Sequence, residues 1–180
     1  FVRAPEQVSL VTEVAGIVAE KSERLEVGQY FEQGEELFRL QQTDYQAQVL
    51  QAQAELDSAL VANAKAGDDL QRIESLSARD LAAQARLDDS QLTLTSTEAR
   101  VEKARAALQL AEEALADTVV TAPFAALVAS EKVSLGAYFS SAQAALTLIS
   151  ANELEVEAGL TPEQSAAVAR RLDATPDAPL

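Results

Sequence analysis

The stretch VGQYF at residues 27–31 recurs as LGAYF at residues 135–139, in a chain with only three tyrosines and five phenylalanines. The likeness extends beyond five residues. In the same register Gly34 falls on Ala142, Phe38 on Leu146 and Leu40 on Leu148. Upstream, after a two-residue gap, GIVAEK (16–21) falls on ALVASE (126–131). Both regions carry β-branched residues in short runs, and Gly16, Gly28 and Gly34 punctuate the first of them. Glycine at such turns takes positive φ without a Cβ clash. Strands this short need a partner sheet. The repeat therefore predicts two similar β halves, near residues 8–40 and 119–150, that share one core.

The material between the halves has a different period. From Tyr45 the apolar or small positions fall at Val49, Ala52, Leu56, Ala59, Asn63, Ala66, Leu70 and Ile73. A second series runs Ala83, Leu87, Ser90, Leu94, Thr97, Val101, Ala104, Leu108, Ala111 and Leu115. Steps of four and three form a heptad seam, and no proline interrupts either series. The period slips at SLSARDLAA, residues 75–83, where Asp80 is placed to cap the returning helix. Two such helices with a short connection predict an antiparallel coiled-coil hairpin, inserted into the loop that joins the β halves. Alanine in the seams permits close approach but buries little area, so the hairpin is expected to be modestly stable and to depend on its base. Downstream, LEVEAGL (154–160) alternates like a further strand, and TPEQSAAVARRL predicts a short helix with Thr161 as cap and Pro162 at its first position.

Composition narrows the function. The formal charge of −15 opposes a nucleic-acid binder, which presents a basic face, and a helix lying on an anionic membrane. The chain has no cysteine and no histidine, which removes ordinary zinc and copper sites and any Cys/His or Ser/His nucleophile pair. The acidic pairs Asp68-Asp69 and Asp88-Asp89 sit on predicted helix without the glycine turn of a calcium loop, so they read as solvated faces. No apolar run approaches the roughly 20 residues of a membrane span, and no signal peptide is present. The start, FVRAPEQVSL, has no initiator methionine and reads as the interior of a longer protein.

With these features the chain resembles the membrane fusion proteins, periplasmic adaptors of bacterial tripartite efflux and secretion systems. The resemblance runs from about residue 10 to residue 160. The family's signature after its hairpin is a Leu, two residues, a Thr, then a hydrophobic-x-Ala-Pro-Phe-Asp-Gly run into a strand. The matching residues here are Leu115, Thr118, Val120, Ala122, Pro123 and Phe124, while Ala125 and Ala126 replace the usual Asp-Gly and imply a different turn. The β halves resemble a lipoyl or biotinyl carrier domain, but Tyr45 stands where a carrier's modified lysine would.

The resemblance implies an α+β fold: a split lipoyl-like domain at 1–42 and 119–152, a coiled-coil hairpin at 43–118, and the incomplete beginning of a β-barrel domain at 153–180. It implies a non-enzymatic adaptor without cofactor or metal, located in the periplasm and anchored to the inner membrane in the full-length protein. Its expected partners are an inner-membrane transporter, an outer-membrane channel and further copies of itself, as trimer or hexamer. Adaptors that serve resistance-nodulation-division transporters tend to carry an Arg, a Leu four later, a Ser eleven after the Arg and an Asp beyond. Arg72, Leu76, Ala83 and Asp88 stand at those places, with Arg79 at the tip between them, so these five residues are the expected docking site. The serine is missing at Ala83. The rivals are an adaptor of an ATP-driven or type I secretion system, a carrier-domain relative serving an enzyme complex, and a coiled-coil scaffold unrelated to export.

Overall fold

In a computed structural model the described residues are 2–3, 7–76, 81–151 and 155–156. The strands are β1 (Val2–Arg3), β2 (Gln7–Val11), β3 (Gly16–Lys21), β4 (Tyr30–Phe31) and β5 (Glu36–Leu40), followed after the helices by β6 (Val119–Thr121), β7 (Ala126–Glu131), β8 (Tyr138–Phe139), β9 (Ala144–Ser150) and β10 (Glu155–Val156). The helices are α1 (Thr43–Leu76) and α2 (Leu81–Ala116).

Two four-stranded antiparallel sheets form, in the orders β2-β9-β7-β4 and β6-β5-β3-β8. The repeat register makes β3 the counterpart of β7, β4 of β8 and β5 of β9, which leaves β2 with β6. Exchanging every strand for its counterpart turns the first order into the second. Each half therefore completes the sheets of the other.

The backbone bonds obey the same exchange. Gly28 N–H donates to Val128 O at 2.8 Å, and Gly136 N–H donates to Val18 O at 2.9 Å. Gly34 N–H donates to Ala122 O at 2.8 Å, and Ala142 N–H donates to Thr12 O at 2.8 Å. The turns of each repeated phrase are thus bonded across to the opposite half. These turns require left-handed backbone: φ is 87° at Gly28, 81° at Gly34 and 78° at Gly136. Ala142, the counterpart of Gly34, adopts φ 62° despite its Cβ, a conformation that costs an L-residue roughly 1–2 kcal/mol.

The core is built from counterpart pairs. Val18 with Val128, Leu25 with Val133, Phe31 with Phe139, Phe38 with Leu146 and Leu40 with Leu148 are all buried in one cluster. Phe38 of the first half meets Phe139 of the second, ring centroids 6.1 Å apart and tilted by 33°, a favourable offset for two quadrupoles. Fully burying side chains of this size stabilises by about 1.5–3 kcal/mol each, so neither half keeps its core without the other.

At Ala125-Ala126 the chain makes a bend and enters β7 at Ala126, which is fully buried beside Phe31. No positive φ is used there, so the turn accommodates alanine at both positions. The opening strand β1 pairs with β10 and joins neither large sheet. The LEVEAGL strand is thereby met at Glu155–Val156. The helix expected from Thr161 and the start of a further domain after it lie outside the described residues, as does the Asp80 cap. No described helix is long and apolar enough to cross a membrane.

Candidate functional site

Among the described residues no group of three or more His, Cys, Asp or Glu side chains could hold a metal ion. The distinctive surface is the helical pair, so the site is built from its root to its tip.

The root is clamped by groups from both β halves. Leu40 N–H donates to Thr118 O at 2.8 Å, and Gln41 N–H donates to Ile17 O at 2.8 Å. The Gln42 amide donates to Thr118 Oγ1 at 2.7 Å, and that hydroxyl donates to Leu115 O at 2.6 Å. Thr118 is fully buried, so its hydroxyl has to find both partners inside the protein. The Tyr45 hydroxyl donates to Ala15 O at 2.6 Å. Tyr45 thus braces α1 against the loop that enters β3.

Along the shaft, every described residue of both predicted seams is buried or half-buried. The helices run antiparallel. Gln51 and Glu55 lie across from Ala107, Ala62 from Arg100, and Ala66 and Asp69 from Ser90 and Thr93. Midway, Thr97 Oγ1 meets Asn63 Oδ1 at 2.9 Å, and Thr97, like Ser90, is buried. A hydrogen-bonded polar pair at a seam position favours the register that keeps it, because a slip of three or four residues leaves Asn63 against alkyl groups. Over the length of α1 the shaft reaches about 50 Å at 1.5 Å per residue.

Near the tip, a shallow cleft of about 390 Å³ is lined by Asp69, Arg72 and Ile73 from α1 and by Arg86, Asp89 and Thr93 from α2. Arg72 is exposed, and its guanidinium stands 3.7 Å from Asp69. The expected docking residues divide as follows. Arg72 lines the cleft. Leu76 ends α1 and Ala83 lies in the first turn of α2, but their side chains fall outside the described residues, as does Arg79 altogether. Asp88 is exposed and accepts a bond from Gln84 at 3.2 Å. It does not line the cleft; its neighbour Asp89 does, together with Arg86. Those two were missed because the family pattern counts positions from Arg72. The helical rule that residues three apart share a face pairs Arg86 with Asp89 as it pairs Asp69 with Arg72.

No protein-family profile matches the chain. Among curated proteins, the multidrug resistance protein MdtA of Photorhabdus laumondii is 30% identical over 116 residues, covering 63% of this chain and 28% of that protein. The efflux pump periplasmic linker BepD of Brucella suis is 27% identical over 172 residues, covering 94% of this chain and 43% of that protein. The chain spans about half the length, or less, of the curated relatives it matches. Among solved structures, the periplasmic adaptor protein EmrA superposes with a TM-score of 0.69 at 18% identity, over 92% of this chain and 78% of that one. At that identity the likeness is one of fold: paired helices with curled sheets.

Proposed function

We propose, for a chain that belongs to the membrane fusion protein family of periplasmic adaptors, the role of bridging an inner-membrane transporter and an outer-membrane channel in a tripartite efflux pump. The observation that carries it is geometric. A pair of helices about 50 Å long rises from a β unit whose two halves are mutually bonded on either side of its root. Such an element reaches from one partner toward another and performs no bond chemistry.

In this reading the β unit is a split lipoyl-like domain formed by residues 1–42 and 119–152. The helices at 43–118 are a coiled-coil hairpin, and residues 153–180 begin a β-barrel domain. The pairing of β1 with β10 supports a junction at which the chain enters and leaves the β unit side by side. The protein works in the periplasm, held at the inner membrane, as a ring of three or six copies. The names of MdtA and BepD support efflux as the setting. The Arg72–Leu76 spacing favours a transporter of the resistance-nodulation-division class.

The hairpin tip is the channel-docking end. Arg72 presents a planar fork suited to a carboxylate or to helix-end carbonyls, and Leu76 supplies an apolar knob. Changing Arg72→Asp and Leu76→Ser together is expected to abolish drug resistance conferred by the complete pump while leaving the helical circular-dichroism signal intact. Undiminished resistance from the double variant removes the tip from the mechanism.

A further inference from the structure

At one place in the β unit two equivalent positions of the repeat touch each other. In the register that sets Gly16 on Ala126, Lys21 falls on Glu131. The strands bear out that equivalence: Lys21 lies opposite Phe38 in the β3–β5 pair, and Glu131 lies opposite Leu146 in the β7–β9 pair. Lys21 Nζ and Glu131 Oε2 are also bonded directly, at 2.9 Å. A contact between equivalent positions maps onto itself when the halves are exchanged, so it sits on the axis that relates them. The ion pairs of Arg24 and Arg39, by contrast, stay inside the first half.

On such an axis two identical halves would set a side chain against its own copy, and here opposite charges meet. The surroundings differ to match. Lys21 Nζ also donates to Val133 O at 2.9 Å, and Val133 N–H donates to Glu131 Oε2 at 3.1 Å. In the first half the chain runs two residues longer at this place. Leu25, the counterpart of Val133, gives its N–H to Ser22 O at 3.0 Å. Side-chain volume divides the halves in the same way. Where counterparts in the buried core differ in size, the first half holds the larger: Leu25 against Val133, Leu37 against Ala145, and Phe38 against Leu146.

We propose that Lys21 and Glu131 are a recognition pair, by which a first half accepts a second half and refuses another first half, including that of a second copy of this chain. The strand order leaves the wrong pairing open. Replacing β9, β7, β6 and β8 by their counterparts lets two first halves build both sheets in the order β2-β5-β3-β4. What tells the pairings apart is the side chains. Two first halves would hold Lys21 against Lys21, a repulsion between like charges in a half-buried place, and would crowd the core with the larger residues twice over. Two second halves would hold Glu131 against Glu131 and leave voids where Leu37 and Phe38 belong. The charges thus choose the partner and the core volumes reinforce the choice. The inference concerns how the β unit assembles, and it holds whether or not the chain serves an export system.

The chain has no cysteine, and Ile17 and Tyr138 are exposed residues directly opposite each other on β3 and β8, a spacing that a disulfide bridges. A disulfide between an Ile17→Cys chain and a Tyr138→Cys chain therefore reports a first half of one copy seated on the second half of the other. The two chains are unfolded together in urea, refolded at high concentration and oxidised, and mixed dimers are separated from self-linked ones by mass. With native charges on both chains, pairing within a chain has the advantage of effective concentration, and mixed dimers are expected at a low baseline. With K21E on both chains every first-with-second combination sets glutamate against glutamate, and the yield is expected to stay at that baseline. With K21E on the Ile17→Cys chain and E131K on the Tyr138→Cys chain, neither chain matches itself but each matches the other, and the yield is expected to rise several-fold. Carrying both reversals on both chains is expected to return it to the baseline. A third mixture no higher than the first, an equal rise in the second, or a high yield with both reversals overturns the proposal. If a single variant fails to refold alone, recovery of its helical circular-dichroism signal in the third mixture is the equivalent result, and no recovery overturns the proposal.

Discussion

The β unit and the helical pair follow opposite rules of construction. In the β unit Val18, Leu25, Phe31, Phe38 and Leu40 each have a buried counterpart in the other half, and Phe31, Leu40 and Leu148 are wholly inaccessible. Its turns donate hydrogen bonds across the halves in reciprocal pairs. Between its members the helical pair buries Ala52, Leu56, Ala66 and Val101 with two polar residues, Ser90 and Thr97. It leaves Leu50, Val61, Leu92 and Leu110 each about two-thirds exposed or more. The first region closes one shared core, although Val27, Leu135 and Tyr138 at its turns stay about two-thirds exposed. The second closes no comparable core and leaves apolar side chains exposed along its whole length.

The comparison breaks most completely if the helices hold the β halves together. Replacing residues 46–116 by a short turn is expected to leave a folded β unit with a cooperative thermal transition and dispersed amide resonances. A product without these would show that the halves do not share a self-sufficient core. Next in size is Phe31→Ala. It empties a fully buried site at the junction of the halves and is expected to cost about 3–5 kcal/mol in urea unfolding. If the shared core is the only support of the hairpin root, amide exchange should accelerate in both halves together. Acceleration confined to the first half would mean two independent units.

A smaller effect tests the joint between the regions. Tyr45→Phe removes the bond to Ala15 O and is expected to cost about 1 kcal/mol, seen as faster amide exchange in the first turns of α1 while the sheets stay protected. Equal protection throughout α1 would relieve Tyr45 of its bracing role. The smallest change sharpens the internal symmetry. Ala142→Gly gives the strained turn the residue its counterpart already has, and is expected to stabilise by up to about 1 kcal/mol, the relief of left-handed strain being partly offset by a more flexible unfolded chain. A melting temperature that falls would indicate that the alanine methyl makes a contact worth more than the strain it causes.

Legibility in the sequence differed along the molecule for physical reasons. The heptad seams were readable at every position whose side chain is described, because a helix presents its neighbours three and four apart, whatever the rest of the chain does. The residues that line the cleft near the tip were readable only in part. A pattern counted along one strand of sequence places Asp88 beside Arg72, yet side chains one residue apart on a helix point about 100° apart. Asp89, and with it Arg86, enters the cleft instead.

Taken alone, the sequence determined the repeat, the two seams and the glycine turns, because each is a local period or a local backbone requirement. It even marked Ala142 as the odd member of its pair. Only the tertiary structure decided that the repeated halves exchange strands, with β9 lying between β2 and β7 and β5 between β6 and β3. It also decided that each Gly-x-Tyr-Phe turn bonds to the half that does not contain it. Pairing between segments separated by the whole helical insertion depends on which edges are free when the halves meet, and no local period encodes that choice.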